Sequence, residues 1–270
     1  MAMAADDDHQ TQIVLGKGLG FGFKRGDTLP PERIERIFQQ TLTDNRIDPE
    51  QILREIDTTV FQEINTLAND VEVQLGFKLS DYNYLALADH LSFAIKRANN
   101  PNFKHSRTQS TSGLKNIYPK EYAAALVTIQ KIQSDMGITL DQDEVSFLTY
   151  HYVNAATSGL YLAETVEMTK LIQKVTQLIS YLMQVDIDTN TTNFTRFVTH
   201  IRYFIQRQEQ NEPLPAAGDQ ALRQVVISSY PECYSVATKV ATLLQQLKGW
   251  QVNEEETVYL TLHIWRLTRE

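Results

Sequence analysis

The chain contains two copies of one pattern. Asp89 to Arg97 reads DHLSFAIKR and Thr199 to Arg207 reads THIRYFIQR, which share a histidine, an aromatic at i+3, an isoleucine at i+5 and an arginine at i+7 at an offset of 110 residues. Tyr118-Pro-Lys-Glu-Tyr122 returns as Tyr230-Pro-Glu-Cys-Tyr234 at an offset of 112. Glu144-Val-Ser-Phe-Leu-Thr-Tyr-His151 returns as Glu256-Thr-Val-Tyr-Leu-Thr-Leu-His263 at that same offset, and Gly137 and Gly249 precede the two copies. A period this long exceeds the roughly 20 to 50 residues of a solenoid repeat, so the copies are tandem domains. Their division falls near residues 160 to 172.

Four of the six histidines occupy matched places: His90 with His200, and His151 with His263. His9 and His105 have no counterpart. The remaining composition sets limits. With 270 residues and 42% hydrophobic content, the chain can bury two domains and a small extra piece. Its longest apolar stretches, such as Tyr122 to Ile129, are too short to span a bilayer. The start, MAMAADDDHQ, lacks the basic and apolar regions of a signal peptide. A single cysteine, Cys233, gives no internal disulfide framework and fits the cytosol. The net charge of −8 argues against nucleic-acid binding over the whole surface. It leaves room for a local basic site at Gly16 to Gly26, where Lys17, Lys24 and Arg25 occur with no acid.

Residues 11 to 24 alternate with a period of two: Ile13, Leu15, Leu19, Phe21 and Phe23 against Gly16, Gly18, Gly20 and Gly22. This predicts a β segment with one nearly bare face, on which Phe21 or Phe23 could stack a base and Lys17 meet a phosphate. A turn-rich hairpin accounts for the same residues. From Pro31 the pattern turns helical. It predicts helices at about 31–43, 48–67, 80–98, 119–135 and 141–156 in the first half. In the second half it predicts about 161–185, 191–208, 219–228, 231–247 and 253–268. Pro119 and Pro231 sit at helix starts. Asp141 or Gln142, and Asn253, cap the helices that open at Glu144 and Glu256. Asn99 to Ser112 and Glu209 to Asp219 read as loops.

All four matched histidines fall inside these helices. Phe147, Leu148 and His151 share a face, as do Tyr259, Leu260 and His263. A single histidine on an apolar face is ordinarily a satisfied core residue. Recurrence at both places in both copies points to chemistry, because leucine fills such a position without a polar group to satisfy. Metal ligation lacks HExxH spacing or a Cys/His cluster and needs carboxylates from elsewhere, such as Asp89. Acid–base catalysis lacks a GxSxG motif, a P-loop or a dinucleotide fingerprint. Phosphoryl acceptance needs only a neutral, accessible imidazole and a donor docking surface, and fits best. The added group brings roughly −1.5 to −2 charges, enough to break a contact or recruit an arginine. Arg196, one turn before His200, is such an arginine. Ala86 stands at its place in the first copy.

The blocks LADHLSFAIKR, YPKEY, DEVSFLTYHYVNA, FTRFVTHIRYFIQR, YPECY and EETVYLTLHIWRL resemble tandem PTS regulation domains (PRDs). IVLGKGLGFGFKRGD, followed by PERIERIF, resembles the end of the co-antiterminator (CAT) RNA-binding domain. Nearly the whole chain is thus similar to the BglG/LicT/SacY transcriptional antiterminators. The resemblance implies a mainly all-α fold of two helical-bundle modules behind a short β segment from an incomplete RNA-binding domain. Its divisions are 1–46 for the RNA-binding segment and linker, 47–167 for the first module and 168–270 for the second. It implies a cytoplasmic homodimer that is not an enzyme, has no cofactor and does not insert into a membrane. Such a protein binds an RNA hairpin in the leader of a sugar-utilisation operon and prevents a terminator from forming.

The resemblance further implies phosphorylation at His90 and His151 through a sugar-specific enzyme II permease, which switches the protein off. Phosphorylation at His200 and His263 by HPr switches it on and links it to carbon catabolite repression. Gly16, Lys17 and Phe21 match RNA-contacting positions. The family's first strand and asparagine-rich turn find no match in MAMAADDDHQ, so Met1 to Ala5 read as foreign to the fold. The alternatives are a metal-dependent enzyme using the paired histidines, and a fragment of a PRD-containing DNA-binding activator. The short length and lack of a helix-turn-helix segment argue against the latter.

Overall fold

The computed structural model describes residues 2–5, 11–16, 18–24, 26–39, 56–100, 113–156, 162–210, 212 and 220–269. They form a mainly helical chain with a small antiparallel sheet at its start. Two compact units result: Met1–Arg107 with Ala124–Ala156, and Thr108–Ala123 with Thr157–Glu270.

The sheet has the order β1 (Ala2–Ala5), β2 (Thr11–Leu15), β3 (Arg36–Gln39). Ala2 faces Val14, and Ile13 faces Phe38. Two expectations are corrected here. Ala2–Ala5 forms a strand where the sequence offered no match to a first strand, because its backbone pairs with β2 whatever its side chains. The extended segment ends at Leu15 instead of continuing to residue 24. Gly18 takes a left-handed φ of 74°, which breaks the strand and starts a helical turn, α1 (Leu19–Gly22), whose Leu19 is buried.

The helix expected over 31–43 is also corrected. Only Pro31–Arg33 turns, as a 3-10 helix, and Arg36–Gln39 is β3. Ile34, Ile37 and Phe38 have helical spacing, but sheet pairing overrides that local pattern. As a strand, this segment sends Arg36 and Phe38 to one side and Ile37 to the other. Phe38 is buried with its ring 5.6 Å from that of Tyr84, while Ile37 is exposed. Arg36 lies over the same tyrosine at 4.4 Å and pairs with the buried carboxylate of Glu72.

The remaining helices of the first unit follow the sequence closely. They are α2 (Thr58–Leu75), α3 (Asp81–Ala98), the last part of α5 (Pro119–Met136) and α6 (Asp143–Ala156). The early part of the helix expected over 48–67 lies outside the described residues. Its far end runs on to Leu75 because Val71 and Glu72 continue the buried face, and Gly76 ends it at a φ of 75°. The loop expected at Asn99 to Ser112 lies almost wholly outside the described residues. On α3, Tyr84, Leu87, Ala88, Leu91 and Ile95 form the buried stripe of an amphipathic helix.

The second unit contains α4 (Leu114–Ile117), the start of α5, α7 (Leu162–Met183), α8 (Thr192–Glu209), α9 (Gln220–Ser229), α10 (Pro231–Lys248) and α11 (Glu254–Leu267). Both Tyr-Pro motifs open helices, with proline in the first turn where its missing N–H costs nothing. Tyr118 is buried and its hydroxyl meets that of Thr169 at 3.1 Å. Tyr230 packs its ring 4.8 Å from Trp265. No helix among the described residues is long and apolar enough to cross a membrane.

Candidate functional site

Each histidine pair is built by two antiparallel helices. In the first unit, α3 carries His90 and, in its last turn, Arg97; α6 carries Glu144 in its first turn and then His151. In the second unit α8 carries His200 and Arg207, and α11 carries Glu256 and His263. An arginine at a helix C-terminus and a glutamate at a helix N-terminus each complement the local helix dipole. Antiparallel packing brings them together. Arg97 pairs with Oε1 of Glu144, and Arg207 Nη2 donates to Oε1 of Glu256 at 2.7 Å. Both carboxylates are buried. The caps fix the register. Asn253 Oδ1 accepts the N–H of Glu256 at 2.9 Å, and Asp141 Oδ1, not Gln142, accepts that of Asp143 at 3.2 Å.

Pinned this way, the two histidines of each unit come into ring contact. The rings of His90 and His151 lie 5.0 Å apart, tilted by 42°. Those of His200 and His263 lie 4.4 Å apart and stack at 24°. The expected helix faces hold: Phe147 lies 5.4 Å from His90 and Tyr259 lies 6.4 Å from His200. Burial disfavours the charged rings. His151 is pushed down to about 3, mainly by desolvation and then by His90. His200 is pushed down to about 4 by desolvation, then by His263 and Arg207. Desolvation and then Arg266 lower His263 as well. These three rings are therefore neutral near pH 7, each with a lone pair on one ring nitrogen.

The two sites share this skeleton and differ at the rim. His90 donates from Nε2 to Oε2 of Glu144 at 2.8 Å, so one carboxylate bridges arginine and histidine. In the second unit, Oε2 of Glu256 has no hydrogen-bond partner among the described residues, and the two histidine rings lie closer and stack. An open groove of about 400 Å3 runs beside His200, lined by Thr195, Arg196, Thr199, Tyr203, Arg207 and His263. Arg196, singled out from sequence, thus borders the same groove as His200.

The ion-paired residues Arg97, Glu144, Arg207 and Glu256 had no role in the sequence reading. Their signal was present, since all four recur inside the matched blocks. What sequence could not supply was the antiparallel packing that joins them. No group of three or more histidine, cysteine or acidic residues is arranged to hold a metal among the described residues.

At the sheet, Gly16 follows β2, and a Cβ on it would lie 1.8 Å from the Arg33 carbonyl oxygen. Close backbone approach therefore demands glycine there, independently of RNA. Phe21 falls in the helical turn α1. Lys17 lies outside the described residues.

The sequence profile of the PRD domain matches residues 65–155 and 173–267, and that of the CAT RNA binding domain matches residues 1–46. The beta-glucoside operon antiterminator of Dickeya chrysanthemi is 28% identical over 269 residues, covering 98% of this chain and 92% of that protein. Transcription antiterminator LicT of Bacillus subtilis (strain 168) is 27% identical over 259 residues, covering 96% and 92%. A crystal structure of GlcT CAT-PRDI aligns with a TM-score of 0.49 and 24% identity over 58% of this chain and 92% of that one. With two PRD domains behind a CAT RNA binding domain, the chain belongs to the BglG/LicT/SacY family of antiterminators.

Proposed function

We propose that this protein is an RNA-binding transcriptional antiterminator of a sugar-utilisation operon, switched by phosphorylation of His90, His151, His200 and His263. Residues 1–46 bind the leader hairpin, 47–167 form the first regulatory module and 168–270 the second. The observation that carries the reading is the recurrence of one device. Two histidines face each other across antiparallel helices that are clasped by an arginine–glutamate pair with a buried carboxylate, once in each unit. Packing needs no such imidazole pair, and relatives that the chain spans almost end to end are named as antiterminators.

The donors in this reading are HPr for the second module and the sugar-specific enzyme II for the first. The bond between phosphorus and the donor atom breaks as a lone pair on the acceptor imidazole forms a new N–P bond. The acceptor ring's displaced proton is balanced by the one the donor side chain or solvent takes up. The protein contributes a neutral ring and a clasp that the new charge disturbs. The homodimer is the element whose packing this disturbance biases. Gly16, Lys17 and Phe21 belong to the RNA-binding segment, and the chain works in the cytoplasm.

Incubation of the full chain with phosphoenolpyruvate, enzyme I and HPr, with and without the permease, tests the reading. Peptide mass spectrometry is expected to place phosphate on His200 or His263 with HPr alone, and on His90 or His151 when the permease is added. Absence of any histidine modification in both reactions contradicts it.

A further inference from the structure

The second module differs from the first at the rim of its groove: two of the differences make the rim more positive and a third adds a hydroxyl. At an offset of 110 residues, Arg196 replaces Ala86, Thr199 replaces Asp89 and Tyr203 replaces Phe93, while His200 and Arg207 match His90 and Arg97. The groove beside His200 is thus lined by two arginines, hydroxyls and two histidines, with no carboxylate among its lining residues. The same place in the first unit has Asp89 on the rim and the Glu144 carboxylate on His90 itself. In a chain of net charge −8, a cationic recess free of acids is a local exception.

We propose that the groove formed by Arg196, His200, Tyr203 and Arg207 is a binding site for a phosphate-class oxyanion, present in the second module only. It deepens the phosphoacceptor reading, since a phosphoryl group on His200 is one source of that anion and free phosphate is the other.

Arg196 is exposed on α8, one turn before His200, and makes no ion pair with a described residue. Its guanidinium can offer the paired N–H groups that suit a phosphate. Arg207 already donates one N–H to Glu256, and its remaining donors lie beside the groove. The low affinity of His200 for a proton reflects, in third place, the field of Arg207, which is the potential an anion would meet. Tyr203 is 61% exposed and adds a hydroxyl donor at the rim.

The test uses the full chain with labelled histidines and follows the ring signals by NMR during titration with inorganic phosphate, with chloride holding the ionic strength constant. Saturable shifts at His200 and His263, with His90 and His151 unmoved, are expected. In R196A, which puts a strong helix former at an exposed position, the affinity is expected to fall about tenfold. Arg207 is left in place because its removal would strand a buried carboxylate. Equal or unsaturable shifts at all four rings overturn the proposal, as does unchanged affinity in R196A. In chains phosphorylated on His200, loss of the phosphate response identifies the covalent group as the occupant, whereas a retained response identifies free phosphate. Failure of phosphotransfer with phosphate binding intact would sink the phosphoacceptor reading and leave this site standing.

Discussion

At the residue scale, His151 and His200 are kept neutral by burial. A ring whose folded value lies below its unfolded value takes up protons more readily when the chain unfolds. Stability is therefore full above about pH 6.5 and falls as pH drops toward the folded values, about 3 for His151 and about 4 for His200. The urea midpoint is expected to fall between pH 7 and pH 5.5, a range above most carboxylate titration. In H151L that fall should be smaller, and an identical fall would contradict the burial argument. The clasps give a second prediction. R207A leaves Glu256 buried without its charge partner and should cost about 3 kcal/mol, whereas R97A should cost about half as much because Glu144 keeps its hydrogen bond from His90. R207A/E256A should recover part of the loss, measured as a double-mutant cycle in denaturant. Equal costs at the two arginines would argue against the different wiring of the two sites.

At the scale of elements, the module helices were legible because apolar periodicity, capping residues and proline starts all agree. Asn253 is the clearest case: its side chain caps α11 and so fixes the helix that carries both Glu256 and His263. N253A should lower stability by about 1 kcal/mol, read from urea unfolding, while N253S should lose much less. The sheet was poorly legible for a physical reason. β3 has helical spacing and β1 is a run of small residues, so both are strands only because β2 lies between them. The candidate site was half legible. Recurrence picked out the histidines, but their stacking and the Arg–Glu clasps exist only once antiparallel helices bring distant segments together. Glycine alternation at 16 to 22 also misled, since Gly16 serves a close approach to Arg33 and Gly18 a left-handed turn.

At the scale of the whole molecule, a CAT RNA binding domain precedes two PRD units that share a skeleton and differ in charge. In the first unit a carboxylate bridges His90 and Arg97, while arginines line the groove of the second. Added negative charge therefore meets repulsion in one unit and cationic partners in the other. Under the proposed function, this difference would make the two pairs respond to phosphorylation in opposite ways. The most direct test measures binding of the operon's leader hairpin by one preparation of full chain, before and after phosphotransfer, with the modified histidines mapped in the same samples. The account predicts weaker RNA binding when His90 or His151 carries the phosphate, and equal or stronger binding when only His200 or His263 does. RNA affinity that stays the same in every phosphorylated form would contradict it.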